Sequence, residues 1–99
     1  MSIRIKTQYI DDEVELQFAR YYNTSIAITG VSTNGLHEPI FKATVAIDGE
    51  LPNDDCVFLK GWSENTGLPE ALVRAGVVEL TGRKVTTGWS EAIEARLLI

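Results

Sequence analysis

The chain has 99 residues, of which 44% are hydrophobic and 23% are charged. This length and composition suffice for one hydrophobic core and exclude a disordered tail, so residues 1–99 are expected to form a single globular domain. Nine basic residues against fourteen acidic residues give a net charge of −5. That balance argues against direct nucleic-acid binding, which requires a basic face.

Hydropathy and cysteine content indicate the compartment. The sequence has no stretch of about 18 uncharged apolar residues, so no membrane span is expected. The N-terminal segment MSIRIKTQYI carries charges among its apolar residues and does not have the character of a signal peptide. The single cysteine, Cys56, excludes an internal disulfide and fits a reducing compartment. We therefore expect a cytoplasmic domain.

Alternation of apolar and polar residues predicts strands in the first two-thirds of the chain. These strands cover residues 3–9, 14–22, 26–29 and 41–47. The second segment is also compatible with a helix, because Glu, Leu, Gln and Arg form helices well, but its alternation favours a strand. Residues 56–60 are almost continuously apolar, which is typical of a central strand covered on both faces. The strongest turn signal is Ser32-Thr33-Asn34-Gly35.

One helix is predicted, over about residues 66–75. The residues that share its apolar face are Leu68, Ala71, Leu72 and Ala75. Pro69 is compatible only with the first turn, which leaves Asn65 or Thr66 as the N-terminal cap. Gly76 suits the left-handed position that ends a helix. A helix of about ten residues is unstable alone and must pack on the sheet.

The C-terminal third is predicted to return to strands. Val77-Val78 resumes extended structure, and Thr81-Gly82-Arg83-Lys84 is predicted to form a turn. Residues 89–98 fit a strand because alternate apolar residues share one face, although an apolar residue at every fourth position also suits a helix. The strand is preferred because a glycine-terminated turn precedes it. The whole sequence predicts an α+β fold, with a mostly antiparallel sheet of five to six strands and one short helix packed on one face.

Residues 60–98 carry a pattern that resembles a known family. Its motifs are Trp62-Ser63-Glu64-Asn65, Gly67, Ala71-Leu72-Val73, Ala75 to Glu79, Thr81-Gly82-Arg83 and Gly88-Trp89, and the upstream segments Arg20-Tyr21-Tyr22-Asn23 and Ile26-Ala27-Ile28 are similar too. The family consists of small uncharacterised proteins carried by bacterial phages, plasmids and integrative elements. The resemblance implies a genomic setting rather than an activity. Short acidic proteins in that setting often bind host proteins, among them components of restriction, CRISPR or other defence systems.

The residue types offer no paired catalytic set. His37 is the only histidine, and it lies in a predicted loop, where we expect it to be solvated rather than oriented as a general base. Cys56 begins the most apolar strand and is expected to be a buried, inert thiol, since Asp54 and Asp55 would oppose thiolate formation. No catalytic residue and no enzymatic activity are therefore expected.

No metal or cofactor site is expected either. One cysteine and one histidine, well separated in the sequence, do not form a zinc pattern. Asp48, Glu50, Asp54 and Asp55 lie near one loop, but they lack the alternation and central glycine of a calcium-binding loop. A weak surface cation site is the alternative to a charged loop that keeps the sheet edge soluble.

The segment Thr81–Gly88 suggests a different class of function, anion binding. It has two glycines, two cations and several hydroxyls, but it does not match the phosphate-loop pattern. A cradle of backbone N–H groups with Arg83 would form a small-ligand module for a nucleotide or another anion, held also by Trp62 or Trp89. For both tryptophans, however, core packing that closes the helix onto the sheet is preferred over this binding role.

Acidic residues form the last candidate surface. One dense group comprises Asp11, Asp12, Glu13 and Glu15, and another comprises Glu50, Asp54 and Asp55. On a common face they would attract a basic partner, and apart they would simply keep the surface soluble.

Taken together, the residues and the resemblance favour a small, acidic, non-catalytic protein of a phage or mobile element. We expect it to bind a host or phage protein in the cytoplasm of the bacterial host, with inhibition of a defence system as one such use. The predicted binding residues are Trp62, Glu64, Asn65, Arg83, Trp89, Asp11, Asp12 and Glu13. An uncovered edge strand would also allow a homodimer.

Overall fold

Seven strands and one α-helix make up the computed structural model, which describes residues 2–99. The strands are β1 (Ser2–Lys6), β2 (Asp11–Arg20), β3 (Ile26–Ser32), β4 (Pro39–Lys42), β5 (Cys56–Leu59), β6 (Val78–Thr87) and β7 (Ser90–Leu97). The helix α1 spans Leu68–Arg74 and follows a 3₁₀ turn at Ser63–Asn65. All strand pairings are antiparallel. The predicted α+β class is confirmed.

The strands divide into two sheets rather than one. The first has the order β1-β2-β3-β4, and the second has the order β5-β7-β6. Residues 43–45 join them, because the Ala43 N–H donates to the Ile28 carbonyl while the Val45 N–H donates to the Phe58 carbonyl. The segment predicted as one strand over 41–47 therefore hydrogen-bonds to both sheets. Its partner changes from β3 to β5 at Thr44, which forms an isolated bridge with Leu59.

Helix α1 closes the core between the two outermost strands. It packs on β1 and on β6. Its buried side chains Leu68, Ala71 and Leu72 belong to a hydrophobic cluster that includes residues from both sheets. The helix begins later than predicted because Gly67 takes a left-handed conformation with φ of 85°. Neither Asn65 nor Thr66 is its cap. Gly76 ends it with φ of 77°, as predicted. No helix within residues 2–99 is long and apolar enough to cross a membrane.

The prediction of a turn at Thr81–Lys84 is wrong. These residues lie inside β6, where the pairing passes from Leu80↔Ala95 to Lys84↔Ile93, so that β6 advances four residues while β7 advances two. The extra residues form a bulge, and Gly82 supplies the positive φ of 91° that it needs. The predicted strand over 89–98 is confirmed as β7, but the chain reverses at Gly88-Trp89.

Candidate functional site

The hairpin of β6 and β7 extends beyond the rest of its sheet. Strand β5 pairs with β7 only as far as Leu59↔Ile93, whereas β6 and β7 continue through three further pairs to Thr87↔Ser90. Residues 85–92 therefore form a two-stranded arm, about 10 Å long at the usual rise per residue. The base of the arm is anchored, because Ala92 is fully buried in a second apolar cluster with Ile47 and Phe58.

Trp89 lies at the tip of this arm. Thr87 pairs with Ser90, so Gly88 and Trp89 form a two-residue loop, and the φ of 60° at Gly88 matches the first central position of a II′ turn. The indole is fully exposed, with a relative accessibility of 106%. The expectation that Trp89 packs in the core is wrong, because a two-residue loop at the end of an overhanging hairpin places its side chains in solvent.

A buried carboxylate fixes the sheet beneath the arm. Glu94 on β7 is completely inaccessible, and it accepts hydrogen bonds from the Thr81 hydroxyl at 2.6 Å, the Asn53 backbone N–H at 2.9 Å and the Arg83 guanidinium at 3.0 Å. Burial acts to raise the pKa of Glu94, but the hydrogen bonds from Thr81, Asn53 and Arg83 outweigh it and hold the pKa below its ordinary value. Glu94 is therefore ionised at neutral pH and pins the loop containing Asn53 to the sheet.

Arg83 is the cation of this network. Besides Glu94, it donates to the Glu50 carboxylate and to the Leu51 carbonyl, each at 3.0 Å, and its guanidinium lies 5.2 Å from the centre of the Phe58 ring. Its single positive charge is thus paired with two carboxylates. This arrangement disfavours the anion cradle that the Thr81–Gly88 segment suggested, because a phosphate would have to displace Glu50 or Glu94.

The Trp62–Asn65 motif has both structural and exposed members. Asn65 is 1% exposed, and its side-chain amide donates to the Lys42 carbonyl at 2.7 Å and to the Lys60 carbonyl at 3.2 Å. The amide ties the 3₁₀ turn to two strand ends, so the role of Asn65 that the structure shows is a structural one. Trp62 is half-buried beside it, and Glu64 is exposed.

The acidic residues of β2 face basic residues of β1. Across the strand pair Glu13 lies opposite Arg4, and Asp11 lies opposite Lys6. A hydrogen bond and the charge of Arg4 lower the pKa of Asp11. Asp12 is exposed opposite Ile5. This surface is a ladder of mixed charge rather than an anionic face, and the group Glu50, Asp54 and Asp55 lies apart from it, on the loop before β5.

The two residues considered for catalysis are placed as predicted. His37 is exposed in the loop between β3 and β4. Cys56 is buried, and burial together with the charge of Glu94 raises the pKa of its thiol, which keeps it protonated. Within residues 2–99, no group of three or more His, Cys, Asp or Glu side chains is arranged to hold a metal ion.

A polar cleft of about 430 Å³ lies between the β2–β3 hairpin and residues 51–56. Its walls carry Arg20 on one side and Asp54 and Asp55 on the other. The Arg20 guanidinium donates to the Thr24 carbonyl at 2.7 Å, so this cation is partly engaged as well. The opposed charges of the walls give the cleft no preference for an anionic small molecule.

Comparisons of the chain with known protein families, with curated proteins and with solved structures found no match.

Proposed function

We propose that this chain is a non-catalytic protein-binding domain and that Trp89 is its principal contact residue. The observation that carries the proposal is the fully exposed indole at the tip of the arm, residues 85–92. Exposing a tryptophan to water forgoes one of the largest gains that burial offers, and tryptophan is one of the residues enriched among the anchors of protein interfaces.

The construction of the arm supports this role. Its base is packed against Phe58 and Ile47, and the Glu94–Arg83 network lies on the same strands just below it. Trp89 is therefore held on a short, anchored hairpin rather than on a loose loop. A contact residue whose backbone is already fixed loses less conformational entropy on binding, which favours affinity.

The setting that we propose is the cytoplasm of a bacterial cell carrying a phage or mobile element. The support is the resemblance of residues 60–98 to small proteins of such elements, together with the net charge of −5 and the single, buried thiol. Binding of a host protein, and in particular inhibition of a defence system, is the activity that best fits a small domain with an exposed contact residue, a solvent-exposed loop histidine and a buried cysteine.

The second candidate function is binding of a nucleotide or another anion. Its cation would be Arg83, which is already paired with Glu50 and Glu94. A thermal-shift series with nucleotides and inorganic phosphate tests it, since a ligand that binds the folded state raises the melting temperature. We expect no shift. A saturable shift that Arg83→Lys abolishes would favour this function over protein binding.

Affinity capture from a bacterial lysate tests the main proposal. The immobilised wild-type chain should retain a stoichiometric protein, and Trp89→Ser should lose it while keeping the wild-type melting temperature, because the indole is fully solvated. The matched control is Leu36→Ser, which removes another exposed apolar side chain on a different loop and should leave capture unchanged. No retained protein, or equal retention by Trp89→Ser, would contradict the proposal.

A further inference from the structure

Part of β2 has an unpaired edge. Strand β1 pairs with β2 from Lys6↔Asp11 to Ser2↔Glu15, whereas β2 runs on to Arg20. Over residues 17–20, β2 has β3 on one side, and on the other side no strand among residues 2–99 lies against it.

The direction of the unpaired groups follows from β3. Ile28 donates its N–H to the Thr44 hydroxyl and accepts at its carbonyl from the Ala43 N–H, so both of its main-chain groups point away from β2. Ile28 lies opposite Phe18. Opposed residues of an antiparallel pair exchange either both hydrogen bonds or neither, so the N–H and C=O of Phe18 point to the free edge. Arg20, two residues on, points the same way.

An apolar cleft lies along this edge. It has a volume of about 230 Å³ and is lined by Phe18, Ala19, Arg20, Ile26 and Leu97. The Phe18 side chain is 47% exposed there, although it lies on the same face of β2 as the buried Val14 and Leu16. Arg20 is the only charged residue of the lining.

We propose that the Phe18–Arg20 edge binds an extended segment of a partner protein as an additional antiparallel strand. The main-chain groups of Phe18 and Arg20 would form four hydrogen bonds with it, as in other cases of strand addition. The segment's residue opposite Phe18 shares the face of the cleft and places an aliphatic or aromatic side chain in it. An acidic residue two positions earlier lies opposite Arg20 and meets its charge.

The free edge of β6 is a poorer template. It carries the bulge at residues 81–83 and the exposed Lys84, which are the features that natural proteins use to prevent edge pairing. The short edge at Phe18–Arg20 has neither a bulge nor a lysine, and it adjoins the cleft. The site is separate from Trp89 and does not depend on the function proposed for it.

A synthetic peptide tests the proposal. The probe is a short, fluorescein-labelled peptide with a central Leu, a Glu two residues before it and Thr at the other positions. Its matched control carries a methyl group on the amide nitrogen of the Leu, which removes the N–H that would donate to the Phe18 carbonyl and leaves every side chain in place. We expect saturable binding of the probe by fluorescence anisotropy and a loss of about tenfold or more for the methylated peptide.

Amide hydrogen exchange by NMR identifies the site. With the probe bound, exchange at Phe18 and Arg20 should slow by about tenfold or more, while Ala19, whose N–H already faces β3, should not change. Phe18→Thr should weaken binding, Gln17→Thr on the opposite face should not, and Trp89→Ser should have no effect. The proposal is overturned by the absence of binding at about 1 mM probe, by equal binding of the methylated peptide, or by self-association of the chain that protects the same two amides.

Discussion

Gly30 lies so close to the Phe41 ring that no side chain can be accommodated at position 30. The two residues lie opposite each other in β3 and β4, and a Cβ built on Gly30 would come within 2.3 Å of the Phe41 ring. The ring therefore covers the glycine backbone inside the core. We expect Gly30→Ala to lower the free energy of unfolding by about 2 kcal/mol, because the ring must leave its place. In Phe41→Leu, which has no ring, the added penalty of Gly30→Ala should fall well below this value. Equal penalties in both backgrounds, measured by urea denaturation, would show that the ring is not the obstacle.

Glu94 is a buried residue whose titration links stability to pH. Its folded-state pKa is lowered, so its stabilising contribution is fully present above the unfolded-state pKa and is lost as the pH falls through the folded-state value. The urea midpoint of the wild-type chain should therefore fall between about pH 5 and pH 3. Glu94→Gln should lower the free energy of unfolding by about 2–3 kcal/mol at pH 7, since the hydrogen bonds from Arg83 and Thr81 lose their charged acceptor.

The pH profile separates this contribution from that of other carboxylates. In Glu94→Gln the decline in stability below pH 5 should be shallower, with the remainder due to groups such as Asp11, whose pKa is also lowered. Glu91→Gln is the matched control on the same strand, because Glu91 is exposed and should leave the profile unchanged. A profile of the same steepness in Glu94→Gln and in the wild-type chain would contradict the assignment.

At the scale of the element, helix α1 depends on the sheets for its stability. Its seven residues are too few for an independent helix, and Leu72 is fully buried where the helix meets the core. Leu72→Asp should lower the free energy of unfolding by more than about 4 kcal/mol, because it buries an unpaired carboxylate. Val73→Asp, one residue on and 39% exposed, should stay within about 1 kcal/mol of the wild-type chain. Cooperative thermal unfolding of Leu72→Asp near the wild-type temperature would refute this orientation of the helix.

The elements differ in how far the sequence could predict them. Helix α1 follows from its periodicity, because one of its faces is buried. Strand β7 also forms as predicted, but as the central strand of its sheet it buries residues on both faces, Ala92 and Glu94 on one and Ala95 on the other. The bulge of β6 could not be predicted, because Thr81-Gly82-Arg83-Lys84 has the composition of a turn and a bulge uses the same left-handed glycine. Glu94 is missed for a related reason. A charged residue in an alternating strand indicates a solvent-exposed face. Only the pairing of β6 with β7 brings the Thr81 and Arg83 side chains against the Glu94 carboxylate.

At the scale of the whole molecule, the arrangement of sheets depends on contacts far apart in the sequence. The split into two sheets is made by residues 43–45, which bond to β3 and to β5, and no local pattern marks that change of neighbour. The exposure of Trp89 could have been predicted from the sequence, since a Gly-Trp pair between two strands fits a two-residue hairpin loop. The same reasoning could not predict that β5 ends early and leaves the arm overhanging.

Photo-crosslinking inside living bacteria is the sharpest test of the proposal that Trp89 contacts another protein. A chain with Trp89→p-benzoylphenylalanine, expressed and irradiated in cells, should yield one discrete covalent adduct with another protein. The same photoreactive residue at Leu36, which is also exposed on a loop, should yield none. A lack of adduct from position 89, or the same adducts from both positions, would contradict this role of Trp89.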